Sequence, residues 1–384
     1  MIPLATRGAS LGLTERRIGK VTLTSQPLAV RGEYIRVVKE RFLAEDLGGY
    51  QATVFDAALP HNATLPAVYD CPVSHLLDGD IIAIDPGGHV RTLIRNGSRS
   101  NTLFATDRCN SLCIMCSQPP KEVDDSKNAD ELIRIVSLID PDTAELGITG
   151  GEPTLLGNGL LRVIDACRTH LPRTDLHLLS NGRRLADIAY ARDFAAVSHP
   201  RLMVGIPLYS DIDSLHDYVV QARGAFDETV LGIQNLGLHN VAVEIRVVVQ
   251  RQTIERLLPL AAFIYRNFTF ASHVAFMGLE ITGFAKAHID ELWADPKTYM
   301  PQLAAAVEFL TTRGLRVSIY NHQLCKVTPS LWSYCRASIS DWKNEFPDEC
   351  APCDVREKCG GFFTWNLGFS QARQVSPVKL LPQH

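Results

Sequence analysis

The chain has 384 residues, 46% of them hydrophobic and 21% charged, a formal net charge of −4 and 10 cysteines. That length exceeds what one core usually fills, so two or three domains are expected, and no apolar run reaches membrane-spanning length. The lack of a Lys/Arg run leaves no electrostatic footprint for phosphate, which weighs against a nucleic acid partner.

The stretch from Met1 to Lys20 mixes small, polar and basic residues without a signal-peptide core. Eight of the cysteines fall in two groups with metal-ligand character. In a chain of this length, such grouping points to a reducing cytoplasm and not to a disulfide framework.

Residues 1–98 carry short apolar stretches, Val21 to Leu23, Tyr34 to Val38 and Asp80 to Ile84, punctuated by Pro and Gly. They predict a small β-rich domain. The segment from Asp80 to Ile94 reads as a hairpin with Pro86-Gly87-Gly88 in its turn. Cys71 has no cysteine near it and is expected to pack as a small hydrophobe.

From residue 99 to 320 the pattern alternates strand and helix, which predicts an α/β fold with a mostly parallel sheet and helices outside it. Candidate strands are Thr102 to Thr106, Ala144 to Thr149, Asp175 to Leu179, Leu202 to Pro207, Val241 to Val249 and His273 to Met277. Six strands fit an open partial (β/α)6 barrel. Helical spacing places Phe226, Val230 and Ile233 on one face, and Leu303, Val307 and Leu310 on another. Cys167 falls inside a helical pattern and reads as core.

Three motifs follow the first three of these strands. Cys109-x3-Cys113-x2-Cys116 supplies three thiolates, which fit three corners of a 4Fe-4S cube and leave one iron open; a zinc site with a distant fourth ligand is the alternative. Gly150-Gly151-Glu152-Pro153 ends the second strand and Ser180-Asn181-Gly182 the third. Sites in such folds form at the carboxyl ends of the strands, so the three segments are expected to converge.

These motifs, in this order, resemble those of the radical S-adenosylmethionine (SAM) superfamily. The resemblance implies a 4Fe-4S cluster with an open iron, bound SAM, an electron donor, and reductive cleavage of SAM to methionine and a 5′-deoxyadenosyl radical. It implies that Gly150 and Gly151 let the backbone approach the methionyl end of SAM and that Glu152 accepts a hydrogen bond from its ammonium. Ser180 and Asn181 then lie near the ribose. Met115 stands where many members have an aromatic residue and packs on adenine through its polarisable thioether. Arg246 pairs with the SAM carboxylate or balances Glu244. No residue stands out as a hydrogen-atom or proton donor, so the catalytic residues stay unassigned.

Residues 321–384 form a cysteine-rich extension. Cys350-x2-Cys353-x5-Cys359 follows Cys325 and Cys335, and the pattern resembles the auxiliary-cluster extensions of radical SAM enzymes that modify peptides and proteins. A full two-cluster extension would carry a further cysteine where Phe363 stands. One auxiliary 4Fe-4S cluster is therefore expected on Cys325, Cys350, Cys353 and Cys359, with Cys335 as competitor for Cys325 and structural zinc as the alternative metal.

Over residues 100–365 the chain is similar to the radical SAM maturase of the His-Xaa-Ser peptide-modification system. Arg108 to Pro120, Gly147 to Leu156, Met277 to Ala285 and Ser338 to Phe363 carry that resemblance. It implies a ribosomally made peptide or protein as substrate and partner maturation proteins. The alternatives are a radical SAM enzyme acting on RNA or a small molecule, and a non-catalytic interaction protein that uses metal to hold its fold.

Overall fold

The computed structural model describes residues 4–39, 47–61, 63, 65–338 and 344–380. Within the Ser338 to Phe363 stretch singled out in the sequence, 339–343 lie outside the described residues. The chain divides into two compact units, one of residues 1–103, 127–147 and 162–175, the other of 104–126, 148–161 and 176–384.

The first unit contains an eight-stranded sheet built from β1 (Ala5–Arg7), β2 (Ala9–Leu11), β3 (Arg17–Thr22), β4 (Tyr34–Val38), β5 (Ala52–Phe55), β6 (Ala67–Tyr69), β7 (Ile81–Ile84) and β8 (His89–Ile94). Its order is β1-β8-β7-β3-β4-β5-β6-β2. The two edge strands are therefore consecutive pieces of chain parted by Gly8 alone. The sheet curls round until one bent segment pairs with β8 on one side and β6 on the other, which removes its open edges.

Inward side chains fill the interior. Val21, Ile35, Val37, Val54, Val68, Leu76, Ile82, Ile84 and Val90 form its apolar core, and Cys71 packs among them with no exposure. The hairpin expected between Asp80 and Ile94 is present as β7 and β8, with the turn closed by Gly88 N–H donating to Asp85 O at 2.9 Å. On the outside, Arg16 links Asp85 at 2.6 Å to Glu131 at 3.0 Å, the latter on α1 (Asn128–Leu138).

The second sheet holds β9 (Thr102–Phe104), β10 (Glu145–Thr149), β11 (Asp175–Leu179), β12 (Leu202–Pro207), β13 (Ala242–Val249), β14 (His273–Gly278), β15 (Val317–Tyr320) and β16 (Cys335–Arg336). It runs in order from β16 down to β9 and stays open, with parallel pairing from β11 through β16. The fold is thus α/β with an unclosed parallel sheet. Along β13 and β14, Val243, Ile245, Val247, Val274 and Phe276 are fully buried, and the residues between them face the other side, the lumen of the partial barrel. Helices α2 (Asn158–His170), α3 (Ile188–Ala196), α4 (Asp213–Val220), α5 (Ala225–Leu238) and α6 (Leu257–Asn267) follow the strands in alternation. Cys167, on α2, is fully buried as expected.

Two strands escaped the sequence reading. β15 has four residues and β16 two, so neither shows a periodicity long enough to recognise. The first strand also ends earlier than Thr106, because Ala105 N–H reaches across to Thr149 O at 2.7 Å while the chain turns into the cysteine loop. Among the described residues, no helix is long and apolar enough to cross a membrane.

Gly8 offers a direct test of the closed N-terminal sheet. A Cβ at this position would lie 2.7 Å from the Cys71 Cβ and 2.9 Å from a Val68 methyl. Gly8→Leu should therefore destabilise the chain by about 1–3 kcal/mol through overpacking, read as a lowered midpoint in thermal or urea unfolding. Wild-type stability would mean that the seam is looser than described.

Candidate functional site

The motif segments meet at the carboxyl ends of β9, β10 and β11, and a carboxylate joins them. Glu152 has no exposure. Its Oε1 accepts hydrogen bonds from Thr154 N–H at 3.0 Å, the Thr154 hydroxyl at 2.6 Å and the Ser180 hydroxyl at 2.8 Å, while Oε2 accepts from Asn181 N–H at 2.7 Å. A buried carboxylate is tolerated when its lone pairs are met in this way. The consequence is that the loops after β10 and β11 are held as one piece.

That piece is tied to the cysteine loop. The Asn181 amide donates to Asn110 Oδ1 at 2.6 Å, and Arg183 bonds Asn110 O and the Ser111 hydroxyl while its Nε reaches Glu228 at 2.6 Å. From other sides, Leu112 and Ile114 N–H donate to Val220 O and Val219 O, both at 3.0 Å, and Phe284 N–H donates to Cys116 O at 2.8 Å. Three segments distant in sequence thus fix the loop.

Gly150 and Gly151 have a local reason for their type. A Cβ on Gly150 would sit 2.6 Å from Thr106 O and 2.9 Å from Thr106 N, and Gly150 also has φ near 157°. Gly151 N–H donates to Thr106 O at 2.7 Å and Glu152 N–H to Arg108 O at 2.8 Å. The space a side chain would need is filled by the chain itself, so close backbone packing accounts for the glycines.

Cys109, Cys113 and Cys116 are partly exposed thiols on this fixed loop. Burial pushes Cys109 up to about 11 and Cys113 up to about 12, with each also raised by a neighbouring thiol, and burial raises Cys116 as well. Three soft donors with little local positive charge stay protonated on their own and ionise when they bind a cationic centre. The donor chemistry is that of a thiolate-ligated metal group, while among the described residues no three or more His, Cys, Asp or Glu side chains are gathered as a formed metal site. Met115 is 7% exposed and packs with Tyr209, Val219, Val220, Ala225, Ala285 and Leu292, so its side chain anchors the loop in an apolar cluster.

The sequence reading missed the residues that brace this loop. The Asp125 carboxylate is hydrogen-bonded by Arg108 Nε at 2.8 Å and by the Thr106 hydroxyl at 2.5 Å, closing the loop from 106 to 125 on itself. Arg183 was missed for the same reason: it acts across a long sequence separation, and no local spacing marks it.

A second thiol group lies at the C-terminus. Cys325, Cys350, Cys353 and Cys359 line a common pocket together with Leu324, Phe346 and Phe362. Burial, then the charges of Cys325, Cys359 and Cys353, push Cys350 up to about 11. Leu324 N–H points at the Cys359 sulfur and Val378 N–H at the Cys353 sulfur, both at 3.4 Å. Cys335 is not among the lining residues. It sits on β16 opposite Ile319, with its thiol 3.6 Å from Leu331 O.

Arg246, on β13, faces the lumen. Its Nη1 is 3.4 Å from Glu244 Oε1 and its Nη2 is 3.2 Å from the Met277 sulfur.

Against known proteins, residues 103–264 match the family model described as the Radical SAM superfamily. The match covers the cysteine, Gly-Gly-Glu and Ser-Asn motifs. A curated relative, the GTP 3',8-cyclase of Petrotoga mobilis, is 30% identical over 154 residues, which is 36% of this chain and 43% of that protein. The chain thus aligns with less than half of that relative's length.

Two solved structures are also similar. Streptococcus suis SuiB bound to S-adenosylmethionine is 16% identical, covering 60% of this chain and 52% of that one, with a TM-score of 0.48. Native anSMEcpe with bound AdoMet and Cp18Cys peptide is 19% identical, covering 56% and 62%, with a TM-score of 0.42.

Asp125 makes the bracing of the cysteine loop testable. Burial works against its ionised form, but the hydrogen bonds from Arg108 and Thr106 outweigh it and hold the carboxyl below its usual value. A depressed carboxyl contributes stability above its unfolded pKa and loses it as pH falls through the folded value. Asp125→Ala should cost about 1.5–3 kcal/mol at neutral pH, and the gap between variant and wild type should narrow only below about pH 4. Urea unfolding across that range measures it; a gap independent of pH would assign the loss to packing.

Proposed function

We propose that this chain is a radical SAM enzyme that cleaves SAM reductively at a 4Fe-4S cluster and modifies a ribosomally made peptide or protein. The observation that carries the reading is the convergence of the cysteine, Gly-Gly-Glu and Ser-Asn segments into one hydrogen-bonded assembly at the strand ends. When bound, the cluster and SAM supply the electron and the 5′-deoxyadenosyl radical that takes a hydrogen atom from the substrate. Cys109, Cys113 and Cys116 hold the cluster and leave one iron open. Gly150 and Gly151 shape the binding edge. Glu152 Oε2, with one internal donor, keeps acceptor capacity for the SAM ammonium. Ser180 and Asn181 would be the residues toward the ribose, and Met115 anchors the loop that would carry the adenine side.

We assign three parts to this function: a β-rich domain at 1–98, the radical SAM barrel at 99–320 and a cysteine-rich extension at 321–384. The extension's thiols hold a second 4Fe-4S cluster through Cys325, Cys350, Cys353 and Cys359. Structural zinc on the same four thiolates is the alternative. Both clusters need an external electron donor and a reducing compartment, in keeping with a cytoplasmic enzyme.

The resemblance to the His-Xaa-Ser maturase supports a peptide substrate and partner maturation proteins. A small-molecule substrate is the second reading, favoured by the 30% identity to a GTP 3',8-cyclase. Mass spectrometry of a candidate peptide after anaerobic incubation with SAM, reductant and the protein separates the two: a changed peptide mass supports the first, and SAM cleavage with no peptide change under all conditions supports the second.

Replacing Cys109, Cys113 and Cys116 together by Ala should abolish 5′-deoxyadenosine formation and leave the C-terminal iron in place; continued reductive cleavage would overturn the ligand assignment. Glu152→Ala should weaken SAM binding by about 1.5–3 kcal/mol, measured by titration calorimetry, and unchanged affinity would restrict Glu152 to bracing the loops. Cys353→Ala should remove one cluster's iron and sulfide and stop peptide modification while leaving some uncoupled 5′-deoxyadenosine. Zinc found by elemental analysis in place of iron and sulfide at that site would contradict the second cluster.

A further inference from the structure

The barrel lumen holds a polar chain that the motifs above do not use. From β15 to β13, the Ser318 hydroxyl lies 3.0 Å from His273 Nε2, His273 Nδ1 lies 2.8 Å from Glu244 Oε2, and Glu244 Oε1 lies 3.4 Å from Arg246 Nη1. His177 Nε2 on β11 comes to 3.6 Å from the same Glu244 oxygen. It does so across β12, where Gly205 stands: a Cβ there would meet His177 Nε2 at 2.8 Å and Arg246 Cδ at 3.1 Å. Gly205 therefore opens the lane in which the histidine, carboxylate and guanidinium approach one another.

The chain is oriented. Glu244 is 8% exposed in its side chain and His273 is 18% exposed, whereas Arg246 retains 22%. One carboxylate oxygen is committed to His273 at short distance, while Arg246 is held by a long contact to the other oxygen and by the Met277 sulfur. Its fork of donors consequently remains open to a stronger planar acceptor. Burial works against the Glu244 charge, but the His273 hydrogen bond and the charges of Arg246, His177 and His273 outweigh it and hold the carboxyl below its usual range. Burial holds His177 below its own usual value despite Glu244. The lumen thus carries a negative charge that His273, His177 and Arg246 surround.

We propose that Glu244, His273 and Ser318 are positioning residues that aim Arg246 at a carboxylate entering the lumen. The proposal rests on the radical SAM reading, and the carboxylate has two possible sources, SAM itself or the substrate. Removing any link lets the guanidinium swing without changing the reacting groups, so the effect falls on binding and not on the chemical step.

The test uses the anaerobically reconstituted holoenzyme with Glu244→Gln, His273→Asn, Ser318→Ala and Arg246→Lys. For Glu244→Gln and Arg246→Lys, KM should rise about tenfold to a hundredfold with kcat changed far less. A smaller rise is expected for His273→Asn, which keeps an amide donor toward Glu244, than for His273→Phe, which keeps none. If the rise appears in KM for SAM during uncoupled 5′-deoxyadenosine formation, the carboxylate is that of SAM. If it appears only in KM for the substrate, the carboxylate belongs to the substrate. Wild-type KM values in variants that still cleave SAM, or equal effects of His273→Asn and His273→Phe, would overturn the positioning role. A wild-type protein that fails to cleave SAM would instead overturn the radical SAM reading.

Discussion

The buried carboxylate of Glu152 is the constraint on which the rest of the site depends. Placing a carboxylate out of water is costly unless it is hydrogen-bonded, and here four donors from two loops bond it, three on one oxygen and one on the other. Because those donors belong to the segments after β10 and β11, the carboxylate dictates how the two strand ends stand. Asn181 and Arg183 then transmit that placement to Asn110 and Ser111, beside Cys109. Sequence type, loop geometry and cysteine placement are thus links of one chain of hydrogen bonds.

Much of this was legible in the sequence because the informative residues are clustered. Three cysteines within eight positions, two glycines before a glutamate, and a serine-asparagine pair each mark a strand end, and parallel strands bring such ends together. Less legible were the groups that act at a distance. Asp125 braces Arg108 and Thr106 from beyond the cysteine motif, and Arg183 reaches back more than seventy positions to Ser111. Nothing in local spacing signals either contact. The glycines show a different limit: their type was foreseen, yet its immediate cause is backbone packing against Thr106 and Arg108.

The C-terminal extension groups residues that spacing leaves open. Sequence alone offers five cysteines for four places. The cavity is lined by four of them, and Cys335 is committed to a short parallel strand beside β15. Its pairing with Ile319 was invisible beforehand because a two-residue strand carries no pattern. Two thiol groups, one on a braced loop and one around a cavity, give the chain separate places for separate roles in the proposed reaction.

The central claim is that the Cys109, Cys113 and Cys116 loop holds a cluster whose open iron meets SAM. Electron paramagnetic resonance of the reduced, anaerobically reconstituted protein, recorded with and without SAM, tests it most directly. The account predicts that SAM shifts the g-values of one cluster signal and leaves the other in place. A spectrum that saturating SAM leaves unchanged would contradict it.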